Sequence, residues 1–201
     1  MLRALVKIPL LFLMVLAVPD FAQTAPVLAP AQAAPAVNPA APSPVKVEQQ
    51  DSFLVVGVTA RTNNAAEANG QGKIPALWQA AMENGSLQAI PNQVGNGFVV
   101  VYSHYASDHT GDYDYTLGVK VSSADKVADG LMVRKIEAGN YAVARSGKGV
   151  PQEVIPALWQ RINAMTPAQL GGTRAYETDF EVYPDVTDWG SVQIAAHVGL
   201  K

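Results

Sequence analysis

Short apolar runs rich in β-branched residues alternate along the second part of the chain with polar stretches rich in Gly, Asn and Asp. Such runs are typical of strands. Two longer segments contain helix formers, with a proline near the expected first turn, where proline is tolerated. The polar segment 63–72 predicts a loop. The predicted strands are 52–61, 98–105, 113–121, 131–136, 141–145, 174–183 and 191–201, and the predicted helices are 74–83 and 152–165.

The same unit occurs twice. The hexapeptide IPALWQ at residues 74–79 recurs at 155–160, and further identities keep the same offset of 81 residues. Internal repeats of this kind indicate two copies of one supersecondary unit. The copies, at about 51–125 and 130–201, each follow the order strand, helix, strand, strand, with one added strand between them. The prediction is an α+β domain over 51–201, a pseudo-twofold antiparallel sheet with helices on one side and a ligand cleft between the halves.

The first 50 residues have a different composition. Arg3 and Lys7 precede an apolar run at 8–18, and small residues follow, which is the pattern of a secretory signal peptide. Residues 1–22 are therefore predicted as a signal peptide, with its cleavage position left open. An uncleaved anchor, in contact with the membrane, is the alternative. Residues 23–50, rich in proline and alanine, are predicted as an extended linker. The domain is expected in the periplasm or outside the cell.

Composition excludes several classes of function. The chain has no cysteine, which removes disulfides, thiol catalysis and a cysteine-linked lipid anchor. Residues 51–201 carry 11 basic and 15 acidic residues. Because contacts to phosphates require clustered basic side chains, nucleic acid is not an expected partner.

Strand alternation assigns faces to the segment 174–183. Phe180 and Val182 share one face, and Glu181 and Tyr183 share the other. In the first copy, Tyr102 is at the position that matches Tyr183. We expect the apolar set to pack under the helices and the mixed set to line a groove at the centre. A single carboxylate among aromatic rings suits an organic cation. The alternative is that Glu181 is an ordinary solvated carboxylate.

Several segments together carry a family resemblance. They are FLVVGVTARTNN, IPALWQ, the hairpin VVVYSHY…GDYDYTLGVKV, KIEAGNYAVARSGKG, IPALWQRI and DFEVYPD, with a closing strand that ends in GLK. In order and spacing they resemble the gyrase-inhibitor-like (GyrI-like) effector-binding domain, which is also the ligand domain of AraC- and MerR-type regulators. This resemblance implies binding of a small organic molecule, often a hydrophobic cation, with Glu181 as its partner. By the same resemblance Tyr102, Tyr183 and Trp159 are cleft aromatics.

The regulators of this family carry DNA-binding helices, and the sequence shows none, so a stand-alone exported binder is expected. Trp189 follows Asp188 in a predicted turn and is expected at the rim of the cleft. Oligomeric state is left open.

Three other kinds of site have weaker support in the sequence. His104, Asp108, His109 and Asp112 could ligate a metal, but polar residues are expected at a hairpin connection anyway, and no metal is predicted. A hydrolase with Glu181 as general base is the alternative function. The SOUL haem-binding proteins resemble this fold, but no histidine stands at a convincing axial position, so no cofactor is predicted.

Overall fold

A computed structural model describes residues 44–184 and 188–201. The predicted signal peptide and the linker up to residue 43 lie outside the described residues. Within the described ranges, no helix combines the length and the apolar character needed to cross a membrane. The elements are β1 (Lys46–Gln50), β2 (Phe53–Thr62), α1 (Asn64–Ala68), α2 (Ile74–Asn84), β3 (Phe98–Ser103), β4 (Tyr113–Val121), β5 (Met132–Ile136), β6 (Gly139–Arg145), α3 (Pro151–Asn163), α4 (Pro167–Leu170), β7 (Arg174–Tyr183) and β8 (Ala195–Leu200).

The eight strands form one antiparallel sheet in the order β1-β6-β8-β7-β3-β4-β2-β5. The order β6-β8-β7 in the second copy mirrors β2-β4-β3 in the first, so the two copies meet where β3 pairs with β7. In that pair Val100 lies opposite Glu181, and Tyr102 lies opposite Asp179. The predicted α+β fold and the central position of these two strands are therefore confirmed.

The outermost strands exchange between the copies. β1, from the start of the first copy, pairs with β6 of the second, and β5, from the start of the second copy, pairs with β2 of the first. Each exchanged strand is joined to the next by two residues, 51–52 or 137–138. The linker prediction was therefore wrong over 46–50. The added strand between the copies is β5, and β1 is its counterpart. β1 was not predicted because its sequence, KVEQQ, is mostly polar.

Both long helices were predicted. α2 carries Pro75 in its first turn and ends at Asn84, followed by the capping residue Gly85, whose φ of 64° lies in the left-handed region that glycine tolerates. α3 begins at Pro151, which also lies in the first turn. The segment predicted as a loop contains α1, which is too short to show a helical period. Asn63 caps α1 by accepting a hydrogen bond from the backbone N–H of Ala66 at 2.8 Å.

The prediction for the two faces of the sheet was wrong. Val100, Tyr102 and Tyr183 pack in one core cluster with the helical residues Leu158 and Ile162. The mixed face therefore lies under the helices.

The opposite face, which carries Phe180 and Val182, lies on the side of the sheet away from the helices. Its ring, Phe180, packs between Phe53 at 5.4 Å and Tyr141 at 5.2 Å, both from other strands. On the face under the helices, the indole N–H groups of Trp78 and Trp159 donate hydrogen bonds to the Tyr115 hydroxyl and the Glu181 carboxylate.

Candidate functional site

Glu181 lies at the middle of the sheet and has no exposed surface. Its Oε1 accepts hydrogen bonds from the Tyr102 hydroxyl at 2.8 Å and from the Trp159 indole N–H, and its Oε2 accepts one from the Tyr183 hydroxyl at 2.7 Å. Tyr183 follows Glu181 by two residues on the same face of β7. Tyr102 lies on the neighbouring strand β3, diagonally opposite Glu181, and Trp159 belongs to α3. Four of the five predicted site residues therefore meet at one carboxylate.

All three donors to this carboxylate are neutral side chains. Among the described residues, no Lys, Arg or His forms an ion pair with Glu181. Burial raises the pKa of Glu181, and the hydrogen bonds from Trp159, Tyr183 and Tyr102 partly oppose that rise. A buried carboxylate is ordinarily paired with a positive charge. Glu181 is therefore a buried carboxylate without a cationic partner among the described residues.

The tyrosines remain protonated donors. Burial, and next the charge of Glu181, raise the pKa of the Tyr102 and Tyr183 hydroxyls well above the ordinary value for tyrosine. They therefore cannot add a second negative charge near the carboxylate at physiological pH.

Aromatic rings surround the carboxylate. The Tyr102 ring lies 4.9 Å from Trp159, 5.3 Å from Tyr115 and 5.4 Å from Tyr113, measured between ring centroids. Ring faces carry negative electrostatic potential and attract organic cations. The carboxylate and the rings therefore favour the same sign of ligand charge.

A second group of rings comes mainly from the first copy. Trp78 donates its indole N–H to the Tyr115 hydroxyl at 2.7 Å and lies 5.4 Å from the Tyr183 ring. Trp189 lies 6.1 Å from Trp78 and 6.5 Å from Phe98. Trp189 is thus at the margin of the cluster, beyond the three residues that donate hydrogen bonds to Glu181.

Trp78 was not among the predicted site residues. The signal that could have placed it at the site was its equivalence to Trp159 in the repeat. Each tryptophan donates to an oxygen of the same buried cluster, Trp159 to Glu181 and Trp78 to Tyr115.

A buried ion pair adjoins the cluster and was not predicted. Arg174 donates from Nη2 to Oδ2 of Asp179 at 2.6 Å, and the Tyr105 hydroxyl donates to the same oxygen at 2.7 Å. The Arg174 guanidinium carbon lies 5.5 Å from the Trp159 ring. The positive charge of Arg174 is neutralised by Asp179. Trp159 therefore contacts a neutralised ion pair as well as Glu181, which has no ion-pair partner among the described residues.

The histidines and aspartates of the hairpin connection do not assemble a metal site. In the described ranges, no group of three or more His, Asp or Glu side chains is arranged to hold a metal ion. Asp112 instead accepts a hydrogen bond from Asn63 at 2.8 Å, and Asp108 accepts one from the Thr110 hydroxyl at 2.7 Å.

The family is settled by comparison with known proteins. The model of the integron-associated effector binding proteins, Cass2, matches residues 46–195, which is most of the chain. The chain belongs to the Cass2 family. The match begins at Lys46, the first residue of β1, so the family domain includes this strand, as the sheet does. Cass2 is an effector-binding family related to the GyrI-like domains, so the resemblance is confirmed at that level.

Individual relatives agree with the Cass2 assignment. The chain is 27% identical over 129 residues to YobU of Bacillus subtilis (strain 168), whose name proposes a transcriptional regulator, covering 63% of this chain and 78% of YobU. The integron cassette protein VCH_CASS2 of Vibrio cholerae has a similar structure, with a TM-score of 0.62 and 25% identity, covering 78% of this chain and 97% of VCH_CASS2. SAV2435, solved with tetraphenylphosphonium bound, shares the fold at a TM-score of 0.61 and 18% identity, covering 78% of this chain and 94% of SAV2435.

Proposed function

We propose that this Cass2-family protein binds an amphipathic organic cation at Glu181. The observation that carries the proposal is that the Glu181 carboxylate has no exposed surface and accepts hydrogen bonds from three neutral donors only. The same arrangement gives no observation that favours the hydrolase alternative.

Charge and ring contacts act together in this site. Burial penalises the ionised form of Glu181, and a bound cation offsets that penalty by pairing with it. Each ring face in contact with the cation adds about 0.5–2 kcal/mol. A small hydrated metal ion could use the carboxylate but not the apolar rings, so the geometry favours a large organic cation.

The ligand class has support from a protein of the same fold. SAV2435 was solved with tetraphenylphosphonium, which is a hydrophobic cation. Its sequence identity of 18% shows the shared fold alone, so the transfer of this ligand class to the present chain is part of the proposal.

Access to Glu181 requires a side chain to move. Tyr102 and Tyr183 are buried in the sheet, whereas Trp159 is half-buried and belongs to α3. We infer that the Trp159 indole leaves Oε1 when the ligand enters, and that the cation replaces its hydrogen bond. Ligand entry should therefore change the fluorescence of the tryptophans.

The test is a titration of the purified protein with tetraphenylphosphonium, followed by tryptophan fluorescence and calorimetry. Triphenylphosphine oxide, which is uncharged and has an oxygen in place of one phenyl ring, serves as the neutral probe. We expect the cation to bind and the neutral probe to bind at least tenfold more weakly. Glu181→Gln should remove that preference, whereas Glu177→Gln, an exposed glutamate on the same strand, should keep it. Equal binding of both probes by the unaltered protein would contradict the proposal.

We further propose that the protein acts outside the cytoplasm. Support comes from the sequence, in which Arg3 and Lys7 precede the apolar run and a proline-rich segment follows it. Cell fractionation of a bacterial host tests this. The protein is expected in the periplasm or medium, and Leu13→Arg, inside the apolar run, should hold it in the cytoplasm. Ala33→Arg, in the proline-rich segment, is the control. Retention of the unaltered chain in the cytoplasm would refute export.

A further inference from the structure

The buried ion pair beside the candidate site has the same chemistry as a carboxylate site for an organic cation. The Arg174 guanidinium is held by the Asp179 carboxylate, with Nη2 at 2.6 Å from Oδ2. Three rings surround it, because the guanidinium carbon lies 4.4 Å from the ring centroid of Tyr176, 5.5 Å from that of Trp159 and 5.8 Å from that of Tyr105. A carboxylate and aromatic rings thus already hold one cation, which belongs to the chain itself.

This internal cation and the candidate site share the Trp159 indole. The indole N–H donates to Oε1 of Glu181, while the ring contacts the Arg174 guanidinium. Asp179 and Glu181 are two residues apart on β7, so their side chains lie on the same face of the sheet. The same indole therefore contacts the Glu181 carboxylate and the cation that neutralises Asp179.

Arg174 also binds the part of α3 that carries this indole. Its Nη1 donates to Oδ1 of Asn163 at 2.8 Å. Asn163 follows Trp159 by four residues, so the two side chains lie on the same face of the helix. Nε and Nη2 of Arg174 donate to Asp179, which also accepts the backbone N–H of Gly199 at 2.9 Å. One guanidinium thus joins α3 to β7 and, through Asp179, to β8.

These contacts favour the closed position of the indole. Because the indole contacts both groups, its departure from Glu181 also breaks its contact with the guanidinium. The closed state is therefore stabilised by a cation–ring contact as well as by the hydrogen bond. The entering ligand needs the open state, so its apparent affinity is proportional to the fraction of molecules that are open.

We propose that Arg174 is a positioning residue that holds Trp159 over Glu181 and thereby sets how often the cation site opens. This role rests on the proposed function, because it concerns the regulation of the same site. Opening without ligand and binding of ligand depend on one equilibrium. A change that weakens the hold of Arg174 on Trp159 should therefore increase both by the same factor.

The test uses a variant that lacks the internal cation without leaving a buried charge unpaired. The double change Arg174→Met and Asp179→Asn removes one charge of each sign, so the net charge is unchanged. Replacement of a whole buried pair is often neutral for stability, unlike removal of one partner. Arg161→Lys is the matched control, because Arg161 also joins α3 to the sheet but does so by donating to the backbone carbonyl of Arg145 at 2.9 Å.

Hydrogen exchange of the indole N–H groups, followed by NMR in the full-length protein, measures opening. The Trp78 indole, which donates to the Tyr115 hydroxyl at 2.7 Å, is the reference within the same molecule. In the double variant the Trp159 indole should exchange about fivefold faster, and tetraphenylphosphonium should bind about fivefold more tightly, the equivalent of roughly 1 kcal/mol. Exchange at Trp78 should stay unchanged, and Arg161→Lys should match the unaltered protein in both measurements.

A second variant and the unaltered protein keep the test independent of the folding of the double variant. Arg174→Lys keeps the ion pair but loses the planar contact with the ring, so it should accelerate exchange at Trp159 by about twofold. Unchanged exchange at Trp159 in Arg174→Lys refutes the positioning role. In the unaltered protein, a Trp159 indole that exchanges as fast as free indole also refutes it.

The outcomes separate this role from the proposed function. Equal acceleration at Trp159 and Trp78 means that the whole fold has loosened, which refutes positioning by Arg174. If exchange at Trp159 alone accelerates but tetraphenylphosphonium binds none of the proteins, the proposed function fails and the hold of Arg174 on Trp159 stands. If tetraphenylphosphonium binds the folded double variant no more tightly than the unaltered protein, the proposed function stands and the regulation by Arg174 is refuted.

Discussion

The Trp159 indole donates its N–H to Oε1 of Glu181, which makes a half-buried residue of α3 the cover of a fully buried carboxylate. The other two donors to Glu181 belong to the sheet. Movement of one helical side chain can therefore open the site while the sheet keeps its tyrosine donors in place. Two consequences can be measured, one for the pKa of Glu181 and one for stability.

Removal of the indole N–H should raise the pKa of Glu181 further, because that hydrogen bond favours the ionised carboxylate. Trp159→Phe keeps a ring but not the donor. In the proposed function, cation binding requires ionised Glu181 and is lost as the pH falls below its pKa, so tetraphenylphosphonium affinity should decline at a higher pH in Trp159→Phe. Titrations at a series of pH values measure this. Trp189→Phe, at the margin, should behave like the unaltered protein. Identical profiles for all three proteins would contradict the role given to Trp159.

Replacement of Glu181 by Gln should stabilise the fold while it removes cation selectivity. The raised pKa means that the folded state holds the proton more tightly than the unfolded state. The stability due to that proton is complete below the unfolded value of 4.5 and is lost as the pH rises through the folded pKa. Melting temperatures measured against pH should therefore show Glu181→Gln gaining on the unaltered protein above pH 4.5, by a few degrees. A lower melting temperature for Glu181→Gln at neutral pH would refute this.

His197 should make the fold sensitive to acid. It stacks on Phe180 with ring centroids 4.3 Å apart on the face away from the helices. Burial, and secondarily the charge of Arg145, lower the pKa of His197 from 6.5 to about 4. Stability from this group is present above pH 6.5 and is lost as the pH falls through about 4, with a total of roughly 3 kcal/mol.

His197→Phe keeps the stacked ring and removes the titrating nitrogens. Its free energy of unfolding, measured in urea between pH 4 and 7, should fall less with acid than that of the unaltered protein. Parallel pH profiles for His197→Phe and the unaltered protein would exclude His197 as the cause.

Several features of the fold follow from local sequence, and others depend on distant contacts. The repeat at residues 74–79 and 155–160 predicted both helices and the central pairing of β3 with β7, because pseudo-symmetry places equivalent elements together. Strand alternation correctly grouped Glu181 with Tyr183. It could not tell which face the helices cover, because that choice depends on ring contacts such as Phe53 with Phe180, which are distant in the chain.

The candidate site was predicted only in part for a similar reason. Glu181, Tyr102 and Tyr183 share a sheet face that alternation reveals, and Trp159 entered through a resemblance to a family. Trp78 was not predicted as a site residue, because its hydrogen bond to Tyr115 spans 37 residues and no local pattern encodes it. The identification of these side chains as ligand contacts remains a prediction.

Breaking the buried ion pair should destabilise the protein strongly. Asp179 has no exposed surface, so Arg174→Met leaves its charge without a cationic partner. Loss of one member of a buried pair costs about 3–5 kcal/mol. Lys135→Met, which breaks the exposed pair with Glu137, should cost less than about 1 kcal/mol. Chemical denaturation compares the two variants, and equal losses would contradict the importance assigned to burial here.

Strand β1 should be needed for stability but not for the cation site. A chain that begins at residue 51 lacks β1, which pairs with β6 along five residues, and also lacks Val45, which packs against the core. The loss of its apolar burial should cost about 2–3 kcal/mol and lower the melting temperature by roughly 5–10 °C. The uncovered edge of β6 should also promote association, visible by size-exclusion chromatography.

A chain that begins at residue 44 is the matched control and should melt like the whole protein. Because β6 and β8 lie between β1 and the strand that carries Glu181, the shorter chain should keep its tetraphenylphosphonium affinity wherever it is still folded. Equal melting temperatures for the chains that begin at 44 and 51 would show that the exchange of β1 between the copies adds no stability. The exchange would then serve only to order the first residues of the domain.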